Sequence, residues 1–208
     1  MSPPSTSRRQ ARGNERRTNL VFAAIQLLET VEVSEITIPM VAKKAGVPTS
    51  SAYHFYSEPK LILIEAARRL AMEFADVDFE PPREATWKEL TRSYIAFGAK
   101  YYNSHAPMRK LMLSGSTTAE ISEAGRIEDA RFAKTLEECI ANRFVLESSL
   151  ELSRAFELAI YLSDAVFGLS VKDLGRIDDV HLAEASQAVI AYLNLFIPDN
   201  LPARSQAG

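Results

Sequence analysis

The sequence predicts an all-α fold, and three observations predict it. Apolar residues recur every three or four positions along almost the whole chain. Pro81-Pro82, Gly175 and Pro198 punctuate those runs at their ends, and no stretch alternates apolar and polar residues as a half-buried strand does.

The first thirteen residues, Met1–Gly13, are rich in Ser, Pro and Arg and read as an irregular basic arm that either touches nucleic acid or serves only as a solubilising tail. A first helix is expected over about Asn14–Val31, where Leu20, Ala24, Leu27, Leu28 and Val31 form one stripe. Thr37 is placed to cap a second helix, whose Ile38, Val41, Ala42 and Ala45 fall at i, i+3, i+4 and i+7. Gly46 supplies a left-handed stop, and Val47 can fold back on the last turn. A third helix follows over about Thr49–Tyr56, its leading turn polar through Thr49, Ser50 and Ser51.

A longer helix starts at Pro59 or Lys60, because Pro suits a first turn, and runs through Leu61, Ile64, Ala67 and Ala71 to about Asp76. Thr86-Trp87-Lys88-Glu89 has capping-box spacing and opens a helix that carries Leu90, Tyr94, Phe97 and Tyr101. Pro107 begins a short helix to about Leu113, and Ser114–Gly125 is expected to be irregular in part. Phe132, Leu136, Ile140 and Phe144 restore a helix over Glu128–Phe144. Ser148-Ser149-Leu150-Glu151 suggests a second capping box, ahead of a long helix that Gly175 ends. The last helix, about Asp179–Phe196, stops before Pro198.

Two short helices joined by a Gly-containing turn make a helix-turn-helix, in which the second helix enters the major groove of DNA. The run T-I-x-x-V-A-x-x-A-G-V at Thr37–Val47, followed by S-S-A-Y-H-F-Y at Ser50–Tyr56, resembles the N-terminal domain of the TetR (tetracycline-repressor-like) family of transcriptional regulators. The resemblance covers about residues 16–69. It departs at Pro48, where the family has Ser or Thr, at Ser50, where Gly is common, and at Ser57-Glu58-Pro59-Lys60, which puts Pro59 at the family's phosphate-contacting lysine. It implies DNA contacts from Thr37, Ser51, Tyr53 and His54; Thr49 and Ser50 lie on the same leading turn, and Lys60 neighbours the displaced lysine.

Charge supports that placement. Residues 1–60 carry eight basic against five acidic residues, a net +3, whereas the remainder carries 16 against 22, a net −6. Phosphate contact requires the positive end to be the end that carries the motif. His54, His105 and His181 show no metal-ligand spacing, and no glycine-rich phosphate loop is present, so no catalytic residues, cofactor or metal are expected. Cys139 stands alone, the N-terminus lacks the apolar core of a signal peptide, and no run spans a membrane. A cytoplasmic protein is expected.

The domains expected are the arm at 1–13, a three-helix DNA-binding domain at 14–60, a larger helical ligand-binding and dimerisation domain at 61–197, and a tail at 198–208. Trp87, Tyr94, Phe97, Tyr101, Met108, Met112 and Phe132 are candidates to line an aromatic ligand cavity, although an aromatic stripe at helical spacing is more often plain core. The last two helices carry a surplus of apolar residues, with Phe156, Ile160, Leu193 and Phe196 as candidates for a homodimer interface. The resulting expectation is a dimeric repressor released from a palindromic operator by a small apolar or aromatic effector. The competing reading is a helical interaction or lipid-binding protein without DNA affinity, which Pro48 and the altered Ser57–Lys60 segment would favour.

Overall fold

The computed structural model describes residues 5–83, 86–115, 117–147 and 149–204. Among these residues it contains ten α-helices and no strand, and no helix is long and apolar enough to cross a membrane. The helices are α1 (Ser5–Leu28), α2 (Ile38–Ala45), α3 (Thr49–Phe55), α4 (Pro59–Ala75), α5 (Trp87–Ser104), α6 (Ala106–Met112), α7 (Ala119–Gly125), α8 (Asp129–Ala141), α9 (Leu150–Leu174) and α10 (Asp179–Leu193), with 3-10 turns at Val33–Glu35 and Arg126–Glu128.

In the first three helices the expected local chemistry is present. Thr37 accepts a hydrogen bond from the Met40 N–H at 3.4 Å, Pro39 sits in the first turn of α2, and Gly46 ends that helix at φ +66°, a left-handed conformation that side chains with a Cβ resist. Val47 returns its N–H to the Ala42 carbonyl at 3.0 Å and is buried. Leu20, Ala24 and Leu28 of α1 are fully buried with Val41 and Ala42 of α2 and Ala52 of α3. This core fixes the angle between α2 and α3.

The N-terminus differs from expectation. Backbone that the sequence reading assigns to an arm is helical from Ser5, so α1 begins well before Asn14, and the arm's first four residues lie outside the described residues. Gly13 is the reason for the discrepancy: it reads as a breaker, yet a single glycine in a run of Arg, Gln and Ala lowers helix stability by only about 1 kcal/mol.

Beyond α4 the chain forms a second helical layer. The Thr86–Glu89 capping box closes as expected, with Glu89 Oε2 accepting from the Thr86 N–H at 2.7 Å. Residues 119–125, expected as partly irregular, form α7 against α4. Ser149 caps α9, accepting from the Leu152 N–H at 3.1 Å; Ser148, the first residue of the second expected capping box, lies outside the described residues. Gly175 ends α9 at φ +70°, and α10 folds back on α9 and α5 after Asp178 caps it. The tail is tied down, since Trp87 Nε1 donates to the Pro198 carbonyl at 3.0 Å, and Val145 N–H and Arg204 N–H bond to the carbonyls of Pro202 and Arg143 at 2.9 and 2.8 Å.

Candidate nucleic-acid interface and internal cavity

Helix α3 has seven residues and no side-chain cap, because Pro48 occupies the N-cap position, so it depends on tertiary packing. Ala52 and Tyr56 are buried on one side. Thr49, Ser50, Tyr53 and His54 are exposed on the other, with Tyr53 at 51% and Ser51 half-buried. Their spacing of i, i+1, i+4 and i+5 places them on one face. Thr37, ahead of α2, is exposed as well; its oxygen caps α2 and its O–H remains able to donate. Lys43 and Lys44, in the last turn of α2, are exposed as well, although the sequence reading counts them only as charge.

Lys60 is placed differently. Its ammonium lies 3.2 Å from Glu120 of α7 and 3.9 Å from Glu58, so two surface carboxylates pair with its charge. The base of α3 is anchored by a three-member network in which the Tyr56 hydroxyl donates to Glu65 Oε2 at 2.6 Å and Arg17 Nε donates to Glu65 Oε1 at 3.1 Å. Burial pushes the Glu65 carboxyl up, but the hydrogen bonds from Arg17 and Tyr56 outweigh it and hold the group below its ordinary value. The network joins α1, α3 and α4.

The two layers meet at α6 and α7. Lys110 Nζ donates to the Val31 carbonyl at 3.0 Å and pairs with Glu32 at 2.9 Å, while Lys60 and Glu120 pair across α4 and α7. These pairs tie α6 and α7 to the first three helices and α4.

Inside the second layer lies a cavity of about 40 Å³ between α4, α5, α8 and α9. Three of the expected ligand-lining residues reach it: Tyr94, Phe97 and Phe132. Phe74 and Tyr102 add aromatic wall from α4 and α5, with Phe74 and Phe132 centroids 4.6 Å apart, and Phe167 closes the α9 side. Four expected residues do other work. Trp87 is buried and holds the tail, Tyr101 stacks between Phe74 and His105 at 3.9 and 4.0 Å, Met108 is core, and Met112 packs on Gly125.

Two acids that were not among the candidates, Asp129 and Asp164, also line the cavity. They stand 35 positions apart on different helices, so no local pattern pairs them. Asp129 is 7% exposed, and its Oδ2 is the one buried side-chain polar atom among the described residues without a hydrogen-bond partner. Burial, then the charge of Asp164, push Asp129 up to about 8, against the pull of Arg126. Burial likewise raises Asp164 to about 7, opposed by Arg126 and by the Tyr102 hydroxyl, which donates to Asp164 Oδ2 at 3.4 Å.

The expected interface residues also need correction. Phe156 and Leu193 are fully buried in the protomer's own core, Ile160 lines the cavity, and Phe196 is half-buried against Tyr192. Other apolar residues are left exposed: Leu150, Leu158, Tyr161, Leu169 and Leu174 on α9, Val180 on α10, and Leu195 just beyond it.

A family model described as "Tetracyclin repressor-like, C-terminal domain" matches residues 85–197, over half the chain. Among solved structures, a TetR transcriptional regulator from Rhodococcus sp. RHA1 superposes with a TM-score of 0.63 at 19% identity, covering 88% of this chain and 98% of that one. A TetR-family transcriptional regulator from Streptomyces coelicolor gives a TM-score of 0.56 at 19% identity over 89% of this chain and 99% of the other. At such identities the likeness is one of fold. No curated protein matches the sequence.

Proposed function

The chain belongs to the tetracycline-repressor-like family of transcriptional regulators, and from that premise we propose that it is a homodimeric repressor whose α3 reads a palindromic operator and whose helical layer responds to a small effector. The observation that carries the DNA-reading part is the division of α3: Ala52 and Tyr56 are spent on the core, and Thr49, Ser50, Tyr53 and His54 are presented to solvent on one face. Thr37, Ser51, Lys43 and Lys44 extend that surface, the lysines as phosphate contacts from the helix that crosses the backbone. On this reading Lys60 is a joint between layers rather than a DNA contact.

The functional division falls near residue 60, with α4 shared between the parts. Dimerisation uses the exposed apolar residues Leu158, Leu169, Val180 and Leu195, and a two-fold axis through α9 and α10 sets two copies of α3 about 34–36 Å apart, one DNA turn. The effector occupies the cavity. Because α6 and α7 are ion-paired to the DNA-facing layer, a ligand that shifts them changes the spacing of the recognition helices, by a coupling of about 1–3 kcal/mol in either direction.

Selection of genomic fragments by the purified protein tests the reading. A recovered inverted repeat, bound by the wild type and weakened by roughly 1–3 kcal/mol for each of Tyr53→Ala and His54→Ala, is expected. A folded double variant with unchanged operator affinity overturns it, as does a chain that selects no DNA.

A further inference from the structure

The cavity contains an unmet electrostatic demand. Asp129 Oδ2 is buried without a donor, the Asp164 carboxyl shares the cavity, and the neighbouring hydroxyls are already committed: Tyr94 donates to the Phe132 carbonyl at 2.9 Å and Ser163 to the Ile160 carbonyl at 2.8 Å. A buried carboxyl left so costs free energy unless something supplies a donor or a positive charge. Arg126 stands near enough to oppose the upward shift of both acids, but its guanidinium lies over the Tyr161 ring at 5.3 Å and makes no hydrogen bond to either. The remaining wall is aromatic, and the faces of aromatic rings attract cations. Apolar effectors would gain from the rings and lose by facing the acids. An ammonium ion gains from both.

We propose that the cavity is a binding site for a protonated primary amine carrying an aromatic or apolar group, its ammonium seated between Asp129 and Asp164 and its tail directed past Phe97 and Phe132. A volume of about 40 Å³ holds the head group and not a whole molecule, so the tail leaves through the side where Phe97, Gly98 and Phe132 are only half-buried. A primary ammonium fits better than a quaternary one because it brings N–H donors for the orphaned oxygen as well as charge. The site also lies on the path to the DNA-facing layer. Asp129 opens α8 directly after the Arg126–Glu128 turn, which follows α7, and α7 holds Glu120 against Lys60. This inference rests on the effector reading above for its regulatory role, but not for the binding site itself.

The probes are phenethylammonium and its neutral near-isostere phenethyl alcohol, titrated calorimetrically into the full chain. Phenethylammonium is expected to bind at least about tenfold more tightly than the alcohol, and Asp129→Asn to remove that preference. Binding a cation favours ionised carboxylates, so the wild type is expected to release protons on binding and to gain affinity from pH 6 to pH 8, by at most about tenfold per unit for each carboxyl titrated. Asp129 and Asp164 titrate in that window, burial keeps Tyr102 protonated through it, Arg126 is the cation that faces both acids, and the amine stays charged. Proton release is measured on the wild type from the dependence of heat on buffer, so the test survives a variant that fails to fold. Equal binding of amine and alcohol, an Asp129→Asn variant that keeps the preference, or no binding by either, as expected of a cavity that takes only water, overturns the site. Operator affinity measured with and without phenethylammonium separates the two readings: Asp129-dependent binding that leaves the operator affinity unchanged keeps the site and overturns its role as effector pocket, whereas failure to bind the amine leaves the DNA-binding reading intact.

Discussion

Asp129 has a second consequence, for stability. Unfolded, its carboxyl loses its proton near pH 4; folded, it keeps it to about 8, because burial opposes the charge. Between those values the native state binds the extra proton, so the folded protein loses stability as pH rises from about 4 to about 8 and changes little beyond. Asn cannot ionise, and Asp129→Asn removes this part of the slope. The variant is expected to melt close to wild type near pH 4 and several degrees higher at pH 8, on the order of a few kcal/mol, with a residual slope from Asp164 in the same direction. Melting curves across pH check this, and a variant less stable than wild type at pH 8 contradicts it. Tyr56 is a second residue whose worth can be measured. Its hydroxyl donates to Glu65 at 2.6 Å, and Tyr56→Phe leaves the ring in place, so urea unfolding should show a loss of about 1 kcal/mol.

Helices divide by how far their own residues specify them. The start of α5 is local, with Thr86 and Glu89 each satisfying the other's backbone, so Thr86→Ala should cost about 0.5–2 kcal/mol in thermal or chemical unfolding. Helix α5 also carries Gly98 in its interior, where an added Cβ meets nothing within 4 Å. Gly98→Ala is therefore expected to stabilise the fold by about 0.5–1 kcal/mol, measured in the same way, because alanine lowers the entropy of the unfolded chain without a clash. Helices α2, α4 and α5 begin where their caps and prolines predict. Helix α7 was less legible: seven residues with no side-chain cap show too little periodicity to stand out, and packing against α4 makes them helical. The α9 cap is Ser149, one of two adjacent serines that sequence alone does not tell apart, and it is Ser149 that meets the Leu152 N–H.

At the scale of the molecule, the dimer prediction changes once burial is known. Leu158, Leu169 and Val180 on the adjacent α9 and α10, and Leu195 just after α10, are exposed apolar residues, whereas Phe156 and Leu193 are fully buried. Glu at Leu169 and Val180 together should yield a folded monomer with weakened operator binding, seen by sedimentation and helical circular dichroism. Asp at Phe156 or Leu193 should unfold the chain, since it buries a charge without a partner and also removes core volume, a loss beyond about 4 kcal/mol. A Leu169→Glu/Val180→Glu protein that still sediments as a dimer would place the interface elsewhere.

Residues close in the chain wrote what the sequence alone determined. The capped α2, the left-handed Gly46, the polar leading turn of α3 and the positive first sixty residues each depend on neighbours within a few positions, so the helix-turn-helix was legible before any coordinates. Helical periodicity, likewise local, determined the all-α class. Tertiary structure decided which periodic apolar residue faces what. Phe156 and Leu193 have the same spacing signal as Leu158 and Leu169, because an apolar stripe is equally an inner face or an interface until the packing partner is known. It also decided the cavity. Tyr94, Phe97 and Phe132 line it while Trp87 and Met108 do not, and Asp129 and Asp164, unremarkable in their own helices, become a pair only because α8 and α9 pack side by side, which buries Asp129 and half-buries Asp164.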